Sequence, residues 1–415
     1  MPTRVFIEGT STYVTHEVGG IHRVVRRIVE AMPTLHQEFG IESAPVVLRS
    51  GRLCDASSLI HRPRSTTPTP IAGLVRACGR TAEWLAARDA VPWRSTDLLL
   101  MLDATYGKGI WRAVRKAKEC GVTVGVVVYD LIPINYPQFF PAKHPAKFRE
   151  WLHGALEHAD FLLGISRTTV HDVQDYILQA TGHGLWSCNR IDSFGLGADF
   201  PRAERNAIVR DAVHAFFKDG PAPYLLVCTI EPRKNHSYLL DAFERIWKDS
   251  PNTKLCIVGK IGWRCDSVVA RIRQHPQFGK SLMMFTNLRD AELQFCYRNA
   301  GAFIFPSIVE GFGLPIVEAL GYGLTVLASN TRIHREVGRE HCQYFELDDP
   351  TSLVTLIRKL ERETLQDSPQ TKPYRVVSWQ ESCRELLAKS FHMAGMVRSA
   401  GDDGERLPQP LKKAA

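Results

Sequence analysis

The sequence predicts an α/β protein made of two Rossmann-like, doubly wound units facing a central cleft. Three observations carry this expectation. Short apolar runs alternate with helical patterns, in VFIE near the start, DLLLML at 97–102, VTVGVVVYD at 122–130 and DFLLGI at 160–165. The rhythm stops in a polar stretch at about 199–222 and restarts with YLLVCT (224–229), KLCIVG (254–259), SLMMF (281–285), AFIFPS (302–307) and TVLAS (325–329). The length of 415 residues exceeds one ordinary core and suits two.

The first unit is placed at residues 1–200 and the second at 201–375, because DSFGLGADF supplies glycines just before the charged segment RAERNAIVRDAV. RPRSTTPTP at 62–70 reads as a surface loop in the first unit. Residues 399–415, polar and broken by Pro and Gly, read as a mobile tail.

Composition narrows the class of function. Hydrophobic residues at 44% and charged residues at 23% are those of an ordinary globular chain. A net charge of +8 is compatible with an anionic partner, whether a nucleotide, a nucleic acid or an acidic leaflet. No helix-turn-helix or aromatic nucleic-acid platform motif is found, so nucleic acid is not expected. The ten cysteines form no Cys-x2-Cys pair and read as free buried thiols in a reducing compartment. No signal peptide or spanning segment is read, because the longest apolar stretch is broken by Gly125, Asp130 and Pro133. A cytoplasmic location follows as the expectation, with any membrane contact peripheral, on the inner face of the plasma membrane.

Three local patterns carry chemistry. Gly19-Gly20 precedes a segment in which Ile21, Val24, Val25, Ile28, Val29, Met32 and Leu35 share one helical face. Glycines at such a helix start let a backbone approach an anion, and a diphosphate is the natural candidate. A simple strand–helix turn would look the same, and His22, Arg23, Arg26 and Arg27 read equally well as a solvated face.

Arg233 and Lys234 follow the run YLLVCT and precede a helix, which sets them at the carboxyl end of a strand, where open α/β sheets bind ligands. Such cations can neutralise the charge that develops when a nucleoside diphosphate departs. A cation at a helix start opposes the helix dipole, so the placement favours a bound anion over a bare surface.

The third pattern is Glu310-Gly311-Phe312-Gly313-Leu314-Pro315, with Glu318 in the helix begun near Pro315. The glycines allow close approach to a sugar and its phosphates. Glu318 can accept hydrogen bonds from a ribose diol, and Glu310 can approach a transferred sugar. Asp130, after the run at 122–130, reads either as a partner for a sugar or acceptor hydroxyl or as a carboxylate capping a local turn.

With these residues in place, the chain resembles family 4 (group 1) of the retaining glycosyltransferases, which have the fold called GT-B. EPRKN with Arg233 and Lys234, VGKIGW with Gly259 and Lys260, and the Glu-x7-Glu segment from Glu310 to Glu318 look like that family's donor half. Gly19-Gly20-Ile21, YDLIPINYP and FGLGADF look like its acceptor half and hinge. Where many relatives carry His-Asp, this chain has Tyr129-Asp130.

The resemblance implies Arg233, Lys234, Glu310 and Asp130 as catalytic residues. It implies a donor site formed by Gly19, Gly20, Gly259 and Lys260 together with Gly311, Phe312, Gly313, Leu314 and Glu318. It also implies transfer of a hexose with retention from a nucleoside-diphosphate sugar to a glycan or lipid-linked glycan in surface-polysaccharide assembly. No metal or other cofactor is expected, and residues 376–398 should return to the first domain as a helix. TIEPRKNHSYLLDAFERIW is similar to bacterial mannosyltransferases, which makes GDP-mannose the first expectation, ahead of rhamnose, fucose or glucose donors.

Aromatic residues at 139–151 mixed with Lys143, Lys147 and Arg149, and a basic cluster running from Lys108 to Lys118, suit either an anionic leaflet or a core with charges outward. A nucleotide-sugar epimerase and a noncatalytic sugar-binding protein are the competing readings.

Overall fold

The computed structural model describes residues 3–14, 19–60, 90–106, 109–181, 190–200, 208–364 and 374–396. The loop read at 62–70, Lys108, the tail and the join at 201–207 lie outside the described residues.

The first sheet contains β1 (Thr3–Glu8), β2 (Ile41–Arg49), β3 (Arg52–Asp55), β4 (Leu98–Met101), β5 (Thr123–Val128), β6 (Phe161–Gly164) and β7 (Ile191–Ser193), in the order β3-β2-β1-β4-β5-β6-β7. All its pairings are parallel except the β2–β3 hairpin. That hairpin turns through Ser50 and Gly51, both at positive φ (47° and 73°), the conformation a two-residue turn needs to match strand twist.

The second sheet contains β8 (Tyr224–Val227), β9 (Leu255–Val258), β10 (Leu282–Phe285), β11 (Ala302–Phe305), β12 (Val326–Ser329) and β13 (Cys342–Phe345), in the order β10-β9-β8-β11-β12-β13 and parallel throughout. The two doubly wound units expected from the sequence are therefore present. In each sheet the strand order reverses once, between β1 and β4 and between β8 and β11. Ligands of such sheets bind beyond the strand ends at these reversals.

The strands absent from the sequence reading are β2, β3, β7 and β13. Pro45 and the polar pair Glu42-Ser43 interrupt the apolar run of β2, and the other three, RLCD, IDS and CQYF, mix polar residues into runs of three or four.

Three large cores hold the sheets, one on each face of the first sheet and one in the second domain. The helix Gly20–Ala31 buries Val24, Val25, Ile28 and Val29 against β1 and β4. The helix Trp379–Met393 adds Trp379, Cys383, Leu386 and Leu387 to this first core. Its start is fixed by a capping box in which Ser378 accepts from the Glu381 N–H and Glu381 accepts from the Ser378 N–H. Gly197 lets the chain pass under that start, because a β-carbon there would meet the Trp379 backbone at 2.6 Å.

Candidate functional site

The site grows from the reversal point of the second sheet. After β8 the chain makes a short 3-10 turn over Pro232–Lys234 and enters the helix His236–Asp249. After β11 the second loop runs alongside it, tied by a hydrogen bond from the Ile308 N–H to the Arg233 carbonyl at 2.8 Å. Two loops from unrelated sequence positions thus share one frame.

Charges are matched within that frame. Arg233 Nη2 lies 2.7 Å from Glu231 Oε1, and its Nη1 lies 2.6 Å from Glu310 Oε2. Lys234 Nζ donates to the other Glu310 oxygen. Burial alone would push the Glu310 carboxyl up, but the Arg233 and Lys234 cations hold it down at about 2. Glu310 is therefore ionised, with both oxygens on the cations that flank it. Beside them a cavity of about 210 Å³ is lined by Glu231, Asn235, His236, Ser237 and Arg264.

His334 closes the floor. It is wholly buried, its Nδ1 contacts Ser329, and burial lowers its pKa to about 4, so the ring is neutral beside Lys234 and Glu310. Nothing in the sequence marked it; the only signal is its place at N3 of the helix Arg332–Gly338, capped by Thr331.

The first domain faces this arrangement across the cleft. Asp130 follows β5, and its Oδ1 accepts the Ile132 N–H at 3.0 Å. Burial raises its pKa, and the Arg233 cation pulls it back. Asp130 thus caps a local turn, as one of its two sequence readings expects, and also feels the charge of Arg233 in the second domain. The Tyr129 side chain is committed to the core, its hydroxyl donating to the Leu102 carbonyl at 2.7 Å.

Contacts between the domains cluster around these residues. The Gly311 carbonyl accepts the Ser166 hydroxyl at 2.8 Å. Glu336 caps the helix Arg167–Thr181 from the second domain, accepting the Arg167 and Thr168 N–H groups at 2.7 and 2.8 Å. On the other side, Trp263 Nε1 donates to the Phe139 carbonyl at 2.8 Å, and Arg264 Nη1 donates to the Gln138 carbonyl at 2.6 Å. Trp263 closes the VGKIGW motif, and its partner is not legible there, because a tryptophan N–H facing a remote carbonyl leaves no local pattern.

Glu318 lies in the helix Leu314–Gly321, where Tyr297 donates to its Oε2 at 2.8 Å and Arg23 of the first domain pairs with its Oε1. Gly19 and Gly20, one turn before Arg23, start the helix Gly20–Ala31, and a β-carbon on Gly20 would meet nothing within 4 Å. Gly313 sits at φ 95°, a conformation that favours glycine. Phe312 and Leu314 pack against the cores of both domains.

Gly259 and Lys260 follow β9, one strand away. A β-carbon on Gly259 would lie 1.6 Å from the Cys228 carbonyl oxygen, so glycine here answers a close approach of backbone to backbone. The Lys260 carbonyl accepts the Ile230 N–H at 2.7 Å. Phe140, Phe148 and Trp151 are buried, whereas Lys143, Lys147 and Arg149 are exposed together with Glu150, so these aromatics serve the core and the charges face outward. Among the described residues no group of three or more His, Cys, Asp or Glu side chains could hold a metal ion, and no helix is long and apolar enough to cross a membrane.

Comparison with known proteins fits this geometry. The model of the family described as Glycosyl transferases group 1 matches residues 213–372, the segment that contains Arg233, Lys234, Glu310 and Glu318. The fold is that of the GT-B class, and residues 213–372 are similar to the group 1 glycosyl transferases.

Within that class the chain is related to bacterial mannosyltransferases. It is 30% identical over 314 residues to the serotype-specific mannosyltransferase WbdA of Escherichia coli, a match covering 74% of this chain and 38% of that protein. The chain thus spans well under half the length of this relative. Among solved structures, a glycosyltransferase from Rickettsia africae is similar with a TM-score of 0.58 at 13% identity, covering 95% of this chain and 99% of the other. Sucrose-phosphate synthase from Thermosynechococcus elongatus is similar with a TM-score of 0.57 at 17% identity, covering 95% and 98%. At these identities the likeness to both structures concerns the fold.

Proposed function

We propose that the chain transfers a hexose, with retention, from a nucleoside-diphosphate sugar to a hydroxyl of a glycan or lipid-linked glycan in bacterial surface-polysaccharide synthesis. The observation that carries this is the pairing of Arg233 and Lys234 with Glu310 at the β8/β11 reversal, opposite Asp130. Two cations fixed in place before any ligand arrives need little reorganisation when phosphate charge develops, which is where electrostatic catalysis gains most.

In this reading the diphosphate lies against Arg233 and Lys234, with the Gly20 helix start facing it from the other domain. Its oxygens take over part of the charge balance now supplied by Glu310. The Glu310 carboxylate, loosened from the cations, turns to the transferred sugar, while Glu318 holds the ribose. Gly311, Phe312, Gly313 and Leu314 shape the sugar pocket, and Gly259 and Lys260 border it from β9. Asp130 orients the incoming hydroxyl. The leaving phosphate takes that hydroxyl's proton on the same face of the sugar, which yields retention without a covalent enzyme intermediate.

GDP-mannose is the first donor to try, supported by the similarity to a mannosyltransferase of Escherichia coli. No metal ion or other cofactor is part of the scheme. The exposed cations Arg112, Arg115, Lys116, Lys143, Lys147 and Arg149 support a peripheral contact with an anionic leaflet.

A thermal-shift screen with GDP, UDP and dTDP sugars, followed by transfer to a mannoside acceptor and assignment of the product anomer, tests the proposal. Stabilisation by one donor and a product of retained configuration support it. Donor turnover to an epimer without any acceptor would replace it with the epimerase reading.

A further inference from the structure

Arg23 belongs to the first domain, yet its guanidinium reaches across to pair with Glu318 of the second. Glu318 is only 2% exposed, and its second oxygen already accepts the Tyr297 hydroxyl. The Arg23 guanidinium carbon lies 4.9 Å over the Phe200 ring, which packs against Tyr297 and Tyr322 at centroid distances of 5.9 and 5.6 Å. Phe200 closes the connection that leads out of the first domain, so the pair is held by side chains from both sides. Arg23 Nη2 is buried without a hydrogen-bond partner among the described residues.

A carboxylate this deeply enclosed keeps its charge only beside a cation. Ionised, it offers acceptor positions alone, which is what the two hydroxyls of a ribose require; protonated, one oxygen becomes a donor and the match is lost. The cation that decides between these states is Arg23, and it arrives from the opposite domain.

We propose that Arg23 is a positioning residue of the donor site, holding the Glu318 carboxylate charged and oriented so that ribose recognition is complete only when the two domains are together. The inference deepens the transferase reading and rests on Glu318 as the ribose acceptor. It also separates Arg23 from its neighbours on the same helix: Arg26 donates to the Thr12 carbonyl at 3.0 Å and Arg27 pairs with Glu30 at 3.0 Å, both within the first domain. A pair that merely fastened the domains would, when lost, weaken every nucleotide alike. A pair that orients a ribose acceptor changes the dependence on ribose.

The test measures dissociation constants of GDP and UDP, and of their 2′,3′-dideoxy counterparts, for the full chain and for Arg23→Gln, Arg23→Lys and Glu318→Gln. The wild type is expected to prefer the ribonucleotide about tenfold or more. Arg23→Gln and Glu318→Gln are each expected to bring that ratio close to one, and Arg23→Lys, which restores the charge, to recover part of it. Should Arg23→Gln fail to fold, an Arg23→Lys ratio between those of the wild type and Glu318→Gln supports the proposal. An unchanged ribose preference in folded Arg23→Gln, or in Arg23→Lys where Gln does not fold, would overturn it while leaving the transferase reading in place. Failure of the wild type to bind either nucleotide would overturn both.

Discussion

Gly311 of the second domain lies so close to Tyr129 of the first that a β-carbon on it would sit 2.2 Å from the Tyr129 carbonyl oxygen and 3.1 Å from Asp130 Cβ. Neither contact is the far end of a flexible side chain. The two domains therefore meet glycine to backbone, directly beside the pairing of Glu310 with Arg233 and Lys234.

Gly311→Ala is expected to hold the domains apart without touching any core. Transfer should fall at least about tenfold, because misplacing reacting groups by about an ångström is costly, while the melting temperature moves by only a few degrees. Kinetics and a melting profile on the same sample check both halves.

Gly20→Ala is expected to behave differently. A β-carbon there meets nothing within 4 Å and alanine favours the helix, so folding should be unchanged or slightly strengthened. If a diphosphate approaches this turn, nucleotide affinity should still drop, and calorimetry with GDP reads that drop directly.

The pH dependence of stability has two limbs of opposite sign. Glu310 sits at about 2 against 4.5 when unexposed to its partners, so its contribution is fully present above about pH 4.5 and is lost as pH falls toward 2. That shift corresponds to about 3 kcal/mol. His334, lowered to about 4 by burial, adds a loss as pH falls from about 6.5 to 4. Urea unfolding from pH 6 down to 3 should show the decline in the wild type and a shallower one in Glu310→Gln.

Glu8 gives the other limb. Burial first, and then the neighbouring Asp103, push its carboxyl up to about 8. The folded state thus keeps a proton that the unfolded chain has lost, and stability should fall as pH rises from about 4.5 to 8. Thr10 N–H and the Thr105 hydroxyl donate to its Oε1 at 2.8 and 2.9 Å, contacts a glutamine oxygen can also accept. Glu8→Gln is therefore expected to fold and to flatten this limb, as measured by unfolding midpoints between pH 5 and 8.

Much of this architecture was legible because the strands that form the sheet centres are continuous apolar runs between helical patterns. Strand β2 was not, because Pro45 and its polar neighbours erase the period, although the edge hairpin it forms with β3 tolerates them. The Arg233-Lys234 pair and Glu310 were legible because each lies in a loop that follows an apolar strand, and Glu318 because Pro315 marks the start of its helix. That Glu310 spends both oxygens on those cations was not, because the two loops are far apart in sequence and meet only through the strand order. Arg23, Arg26 and Arg27 looked alike on a helical face, and only tertiary packing sends one of them across the cleft. The same holds for Trp263 and Arg264, whose partners are main-chain carbonyls of the other domain.

The central claim is that Arg233 and Lys234 hold the diphosphate of the donor. Its most direct test compares the affinities of the wild type, Arg233→Ala and Lys234→Ala for GDP and for GMP, each variant first confirmed folded. Loss of at least about tenfold for the diphosphate, with much less change for the monophosphate, is expected. Equal affinities for GDP in all three proteins would contradict it.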